Sequence, residues 1–223
     1  MPDEILLTTL EQKAAPGAAA LIVVDVQNDF VADGGFFARL GADMKTIQAA
    51  VPPLQRLIAR AREAGVLVVF VQAIYDQQYR SAPMRERDRR RALDMLPCQS
   101  GTWGADFHGV RPLPGEPVVV KHRYSGIINT GLDPLLKRHG IKSLLMTGVA
   151  TDTCVESTAR DAYFIDYYVT LVSDCAAAFD RRDHEVALAR FERDYGPVVT
   201  SAELVAAWER IGALRTLAAP AAG

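Results

Sequence analysis

Six short runs dense in β-branched and other apolar residues punctuate this 223-residue chain, at 19–26, 67–72, 117–121, 143–147, 168–173 and 198–200. Stretches with helical periodicity lie between most of them, at 44–64, 131–139, 154–166, 183–195 and 202–211. Strands alternating with helices argue for a parallel sheet covered on both faces. Right-handed crossovers then give a three-layer α/β fold, doubly wound around a six-stranded, mostly parallel sheet. Boundary residues agree. Gly65 and Gly140 follow helical patterns, Thr200 with Glu203 forms a capping box, and Thr151 or Asp152 is a natural N-cap for the helix bearing Cys154. No internal repeat and no linker divides the chain, so residues 1–223 read as one domain. Its Ala/Pro/Gly-rich ends, 1–17 and 217–223, are expected to be loosely ordered.

Three of the strand-like runs end in a residue that does not belong in a core. The run Leu21-Ile22-Val23-Val24 is interrupted by Asp25, and Val118-Val119-Val120 ends in Lys121. Leu144 to Thr147 passes through Gly148-Val149-Ala150 to Thr151-Asp152-Thr153-Cys154, where a helix begins. A buried carboxylate is costly unless it is paired or used chemically, although an Asp there could also cap a neighbouring loop. Lysine at a strand end could reach solvent. A single cysteine is more often a packed apolar residue than a nucleophile. Against that, a thiol in the first turn of a helix faces unpaired N–H groups and the positive end of the dipole, which favour thiolate. The repetition carries the weight: open parallel sheets bind ligands at the carboxyl ends of their strands, and all three residues lie there.

These motifs resemble the isochorismatase-like cysteine hydrolases, over roughly residues 18–207. The resemblance implies Asp25 as base, Lys121 as its electrostatic partner and Cys154 as nucleophile. It also implies a cis peptide at Val149–Ala150 and an oxyanion hole from the backbone N–H groups of Ala150 and Cys154. Family members are usually dimers or tetramers, which implies a homodimer or homotetramer here. Arg123-Tyr124-Ser125-Gly126, Asn129-Thr130, Ala150-Thr151 and Cys154-Val155-Glu156-Ser157-Thr158 are similar to the ureidoacrylate amidohydrolases of uracil ring breakdown. The implied chemistry is hydrolysis of a small ureide or amide through an acyl-cysteine, with substrate contacts from Phe30, Gln72, Tyr75, Arg123, Tyr124 and Asn129. One departure stands out: those enzymes carry Gln-Asn-Gly-Trp where this chain has Gln72-Ala73-Ile74-Tyr75. Loss of one amide from a loop expected to line the pocket can redirect specificity, leaving biuret, triuret and N-carbamoyl amino acids open as substrates. Isochorismate hydrolysis is weakened because relatives with that activity dispense with the cysteine. A binding protein without turnover would carry three costly buried groups for no return.

Other classes are disfavoured. A net charge of −2 gives no basis for binding nucleic acid or an anionic membrane, and Arg85–Arg91 is mixed with Glu86 and Asp88. Three cysteines do not suggest a secreted disulfide framework, no apolar run is long enough to span a bilayer, and Asp3 and Glu4 begin no signal peptide. A cytoplasmic enzyme is expected. No Gly-rich phosphate fingerprint follows a strand. Metal-dependent relatives that hydrolyse nicotinamide use an Asp and two His after the second strand, and the matching 72–79 segment lacks histidine, so neither metal nor cofactor is expected. Two long connectors, 28–43 with Phe36 and Phe37 and 73–115 with the basic run, are candidates for a lid or binding loop.

Overall fold

The computed structural model describes residues 6–218, with side chains described to residue 213. Six strands form one sheet: β1 (Ala19–Val24), β2 (Leu67–Ala73), β3 (Val118–Lys121), β4 (Ser143–Val149), β5 (Tyr168–Ala177) and β6 (Val198–Val199). Their order is β3-β2-β1-β4-β5-β6, and every pairing is parallel. β1 and β4 are buried along their whole length, as expected of central strands covered on both faces. β3 is an edge strand and alternates: Val118 and Val120 face solvent, Val119 and Lys121 face inward.

The longer helices are α1 (Val51–Glu63), α2 (Ala82–Arg90), α3 (Leu132–Arg138), α4 (Glu156–Tyr163), α5 (Arg181–Asp194) and α6 (Ser201–Ala218). Alternate residues of the sheet feed two cores. Leu21, Val23 and Phe70 pack with Leu54, Leu57 and Trp208 on the α1/α6 side. Ile22, Val24 and Val69 pack with Leu132, Leu136, Ala159 and Phe191 on the side of α3, α4 and α5. The result is the three-layer doubly wound architecture. Strand order reverses between β1 and β4, and in open α/β sheets that switch point opens a crevice beyond the carboxyl ends.

Several expected boundaries shift for local reasons. The 44–64 pattern is two helices, Lys45–Ala49 and α1, because prolines occupy the first turn of α1. The predicted N-cap at Thr151 or Asp152 is not made. Residues Thr151–Val155 form a π-helical turn ahead of α4, capped by Ala150 with no side-chain hydrogen bond. Thr200 and Glu203 do make their capping box, Glu203 Oε2 accepting from Thr200 N at 2.7 Å and Thr200 Oγ1 from Glu203 N at 3.3 Å.

The N-terminal stretch expected to be loose is tied down over its described part. Leu10–Lys13 is a helical turn with a capping box from Thr9, Ala14 is fully buried, and its carbonyl accepts from Trp208 Nε1 at 2.9 Å. Residues 217 and 218 continue α6, while 1–5 and 219–223 lie outside the described residues. Among the described residues no helix is long and apolar enough to cross a membrane.

Candidate active site

At the carboxyl end of β1 the chain turns sharply. Asp25 takes φ +52°, in the left-handed region that Asp tolerates better than most residues, while its N–H still donates to Val71 O at 2.9 Å. Gln27 prolongs the contact with β2 where the strands part. Its side-chain amide accepts from Ala73 N at 2.8 Å and donates to Ala73 O and Ala105 O at 2.9 Å each. Asp29, also buried, accepts from Phe36 N at 2.9 Å and Cys98 N at 2.7 Å, tying both long connectors to the site. Neither Gln27 nor Asp29 was picked out from the sequence. Their signal is polar residues at every second position just past a buried strand.

Lys121 arrives from the edge strand, one strand removed from β1. Its inward face is dictated by the alternation of β3, and Ala73, its register partner on β2, presents only a methyl group. The extended side chain crosses to Asp25, bringing Nζ within 2.7 Å of Oδ2 with both side chains fully buried. Lys121 Nζ also donates to Arg123 O at 2.9 Å and to Tyr75 Oη at 3.3 Å. No group other than Lys121 meets an Asp25 oxygen with ideal hydrogen-bond geometry, but the Cys154 thiol and the Ala73 N–H lie close enough to favour its ionised form.

Cys154 comes from the other side of the switch point. β4 passes so close to β1 that a Cβ on Gly148 would stand 2.0 Å from Val24 O, which fits a glycine at φ +104°. The next peptide, Val149–Ala150, is cis. The π-helical turn then presents Cys154, 5% exposed, and Ala150 O accepts from both Thr153 N and Val155 N at 3.1 Å. Thr158 Oγ1 holds Cys154 O at 2.7 Å and accepts from Gly126 N at 2.8 Å, joining this turn to the loop after Lys121.

Burial dominates the electrostatics. It raises the Asp25 carboxyl above its ordinary value, with Lys121 opposing. Burial disfavours the Lys121 ammonium, yet Asp25, with Cys154 beside it, holds its pKa above the usual lysine value. The Cys154 thiol is pushed up to about 12 by burial, with Lys121 lowering it and Asp25 raising it. Burial thus works against the pull of the helix terminus towards thiolate. At neutral pH the sulfur is a thiol, and a base must take its proton during attack.

Cys154 lies in a cavity of about 680 Å³, together with Ala150, Thr153, Phe30, Tyr75 and Tyr124. Three of the expected contacts are elsewhere. Gln72 donates to Ala105 O at 2.9 Å, Arg123 turns its guanidinium to Tyr79 O at 2.9 Å and His122 O at 2.7 Å, and Asn129 is exposed at φ +56°. Ala73 does not line the cavity either; it is buried at the end of β2. In their place α2 and the residues after it form one wall, with Met84, Arg87, Met95 and Leu96. Among the described residues no group of three His, Cys, Asp or Glu side chains could hold a metal ion.

A parallel sheet that gathers a thiol, a carboxylate and an ammonium at its switch point belongs to a three-layer α/β hydrolase class. Within that class the chain belongs to the isochorismatase family, whose domain matches residues 19–203. It is 38% identical over 172 residues to the ureidoacrylate amidohydrolase RutB of Pantoea ananatis, covering 71% of this chain and 69% of that one. A cysteine hydrolase from Pseudomonas syringae pv. phaseolicola superposes with TM-score 0.77 at 28% identity, over 87% of this chain and 94% of the other. N-carbamoylsarcosine amidase from Thermoplasma acidophilum does so with TM-score 0.66 at 30% identity, over 82% and 96%.

Proposed function

We propose that this protein is a cysteine amidohydrolase that cleaves a C–N bond of a small ureido or carbamoyl compound through a covalent acyl-cysteine. One observation carries the reading. A carboxylate buried against an ammonium lies beside a buried thiol, and that thiol lines the cavity. The names of the relatives, an amidohydrolase of ureidoacrylate and an amidase of N-carbamoylsarcosine, support the substrate class.

Asp25 takes the Sγ proton as sulfur bonds to the substrate carbonyl carbon. The oxyanion faces the backbone N–H groups of Ala150 and Cys154, and Lys121 balances the charge that passes through Asp25. Collapse breaks the C–N bond, and the departing nitrogen takes the proton from Asp25. Water then attacks the acyl carbon and gives a proton to Asp25. The C–S bond breaks and sulfur recovers that proton. A carbamate product decomposes to ammonia and carbon dioxide without the enzyme.

Ammonia release from ureidoacrylate, biuret, triuret and N-carbamoyl amino acids, compared for wild type and Cys154→Ala, tests the reading. The expected result is turnover of one ureide that falls below detection in Cys154→Ala, with a mass adduct on Cys154 in acid-quenched wild type. Equal ammonia release from both proteins refutes it.

A further inference from the structure

The cavity above Cys154 is much larger than a small ureide requires, and its surplus is mostly apolar. A volume of about 680 Å³ falls in the range of about 300–1,000 Å³ typical of pockets for drug-sized ligands. A ureide of a few heavy atoms would occupy only the floor, where Cys154, Ala150 and Tyr75 lie.

The apolar lining comes from two parts of the chain. Phe37 is the hub of an aromatic cluster. It stacks on Phe179 with centroids 4.3 Å apart, and meets Phe36 at 5.3 Å and Phe30 at 5.6 Å. These rings come from the two helical turns after β1 and from the segment just past β5. Met84, Met95 and Leu96 come from α2 and the segment that follows it. Methionine offers a wall that adapts to the shape of its occupant.

Two features show that this lining is not spare core. Leu40 and Met95 are 51% and 43% exposed although both line the cavity, so apolar surface is left facing water around an open space. The charged groups on the α2 wall are engaged with one another. Asp88 pairs with Arg80 and, at 2.8 Å, with Arg87, which also bonds Tyr124 Oη. The rest of the lining is mostly hydrocarbon and aromatic surface, with Asp43, Arg91, Asp152, Asp180 and Asp183 as its other charged groups.

We propose that this lining forms a slot for a bulky apolar substituent, an aryl or extended alkyl group on the ureide nitrogen, and that Phe37 and Phe179 form its principal contact. This rests on the amidohydrolase reading and narrows its substrate class. The ureide head would reach Cys154, while the hydrophobic body lies against the aromatic cluster and the methionine wall.

The test is a series of N-alkylureas, ethyl to hexyl, with benzylurea and ureidoacrylate alongside. Transfer of each buried methylene corresponds to about a fourfold gain, so kcat/KM is expected to climb by about that factor per carbon until the slot fills. Binding of the same ureas to Cys154→Ala, followed by calorimetry, reads the slot without turnover, and benzylurea is expected to bind at least about tenfold tighter than ethylurea. Phe37→Ala should cut the benzyl-to-ethyl preference by about tenfold, and Phe37→Leu should recover part of it. A merely structural role for Phe37 would lower both substrates equally and leave that ratio unchanged. Efficient Cys154-dependent hydrolysis of ureidoacrylate, with flat or falling values along the alkyl series, would overturn the apolar slot and leave the amidohydrolase standing. Benzylurea binding no tighter than ethylurea would likewise overturn the slot. Tighter binding of benzylurea with no turnover of any ureide would keep the slot and remove the amidohydrolase reading.

Discussion

The molecule buries two carboxylate–cation pairs within one cavity region, and they are built to opposite ends. Asp88 on α2 lies between Arg80 and Arg87, its carboxylate engaged by two guanidinium groups, and Arg87 in turn stacks over Tyr124 at 5.6 Å. Asp25 is more deeply buried and has one cation, Lys121, at 2.7 Å, with the Cys154 thiol beside it. Both pairs bear the desolvation cost of buried charge. Only the second has a nucleophile next to it. On the reading proposed above, burial of an ion pair does not by itself mark chemistry; a nucleophile beside it does.

The largest expected difference comes from removing each carboxylate in turn. Asp25→Asn should lower kcat/KM by about 10³-fold or more, because no base remains for the thiol proton. Asp88→Asn should cost stability in the range of about 3–5 kcal/mol, as expected when one partner of a buried pair is lost, and spare the chemical step. Single-turnover rates and urea unfolding of the two variants separate these outcomes. An Asp25→Asn enzyme with near wild-type turnover would erase the distinction between the pairs.

A smaller effect sharpens it. As the base proposed above, Asp25 would work only when ionised, and burial already raises its pKa while Lys121 lowers it. The acid limb of kcat/KM should therefore lie above the ordinary carboxylate value of about 4. Lys121→Met removes the lowering influence, so the limb should move further towards alkaline pH, with a loss on the order of 10² at its new plateau. A limb that stays in place or moves to lower pH would mean that another group sets it.

How far this was legible in the sequence follows from the same contrast. Asp25, Lys121 and Cys154 each close a short apolar run, so the sheet alone was enough to bring them to one end. The inward face of Lys121 could also be read, from Val119 two residues before it. Gln72, Arg123 and Asn129 misled because they adjoin those motifs in sequence, whereas their side chains serve backbone carbonyls or face solvent. The 73–115 connector could be marked as a lid or binding loop, and it does line the cavity, but which of its residues form the wall could not be read from a 43-residue stretch with no strand periodicity. The raised pKa of Cys154 was hidden for a related reason. A helix terminus is visible in sequence, but the burial that outweighs it belongs to the packed molecule.

Each pair also has a tyrosine, and that gives the finest comparison. Tyr75 Oη accepts from Lys121 Nζ at 3.3 Å, while Tyr124 Oη accepts from Arg87. Losing one neutral hydroxyl from such a bond removes on the order of 1 kcal/mol, about fivefold in a rate or binding constant. For Tyr75→Phe that loss should fall on kcat, because the hydroxyl helps place the ammonium that balances Asp25. For Tyr124→Phe it should fall on KM, because the hydroxyl steadies Arg87 at the cavity wall and touches no reacting group. Steady-state kinetics on the best ureide decide between them. If both substitutions act on KM alone, Tyr75 belongs to the wall rather than to the working pair, and Lys121 is held by Arg123 O and Asp25 without it.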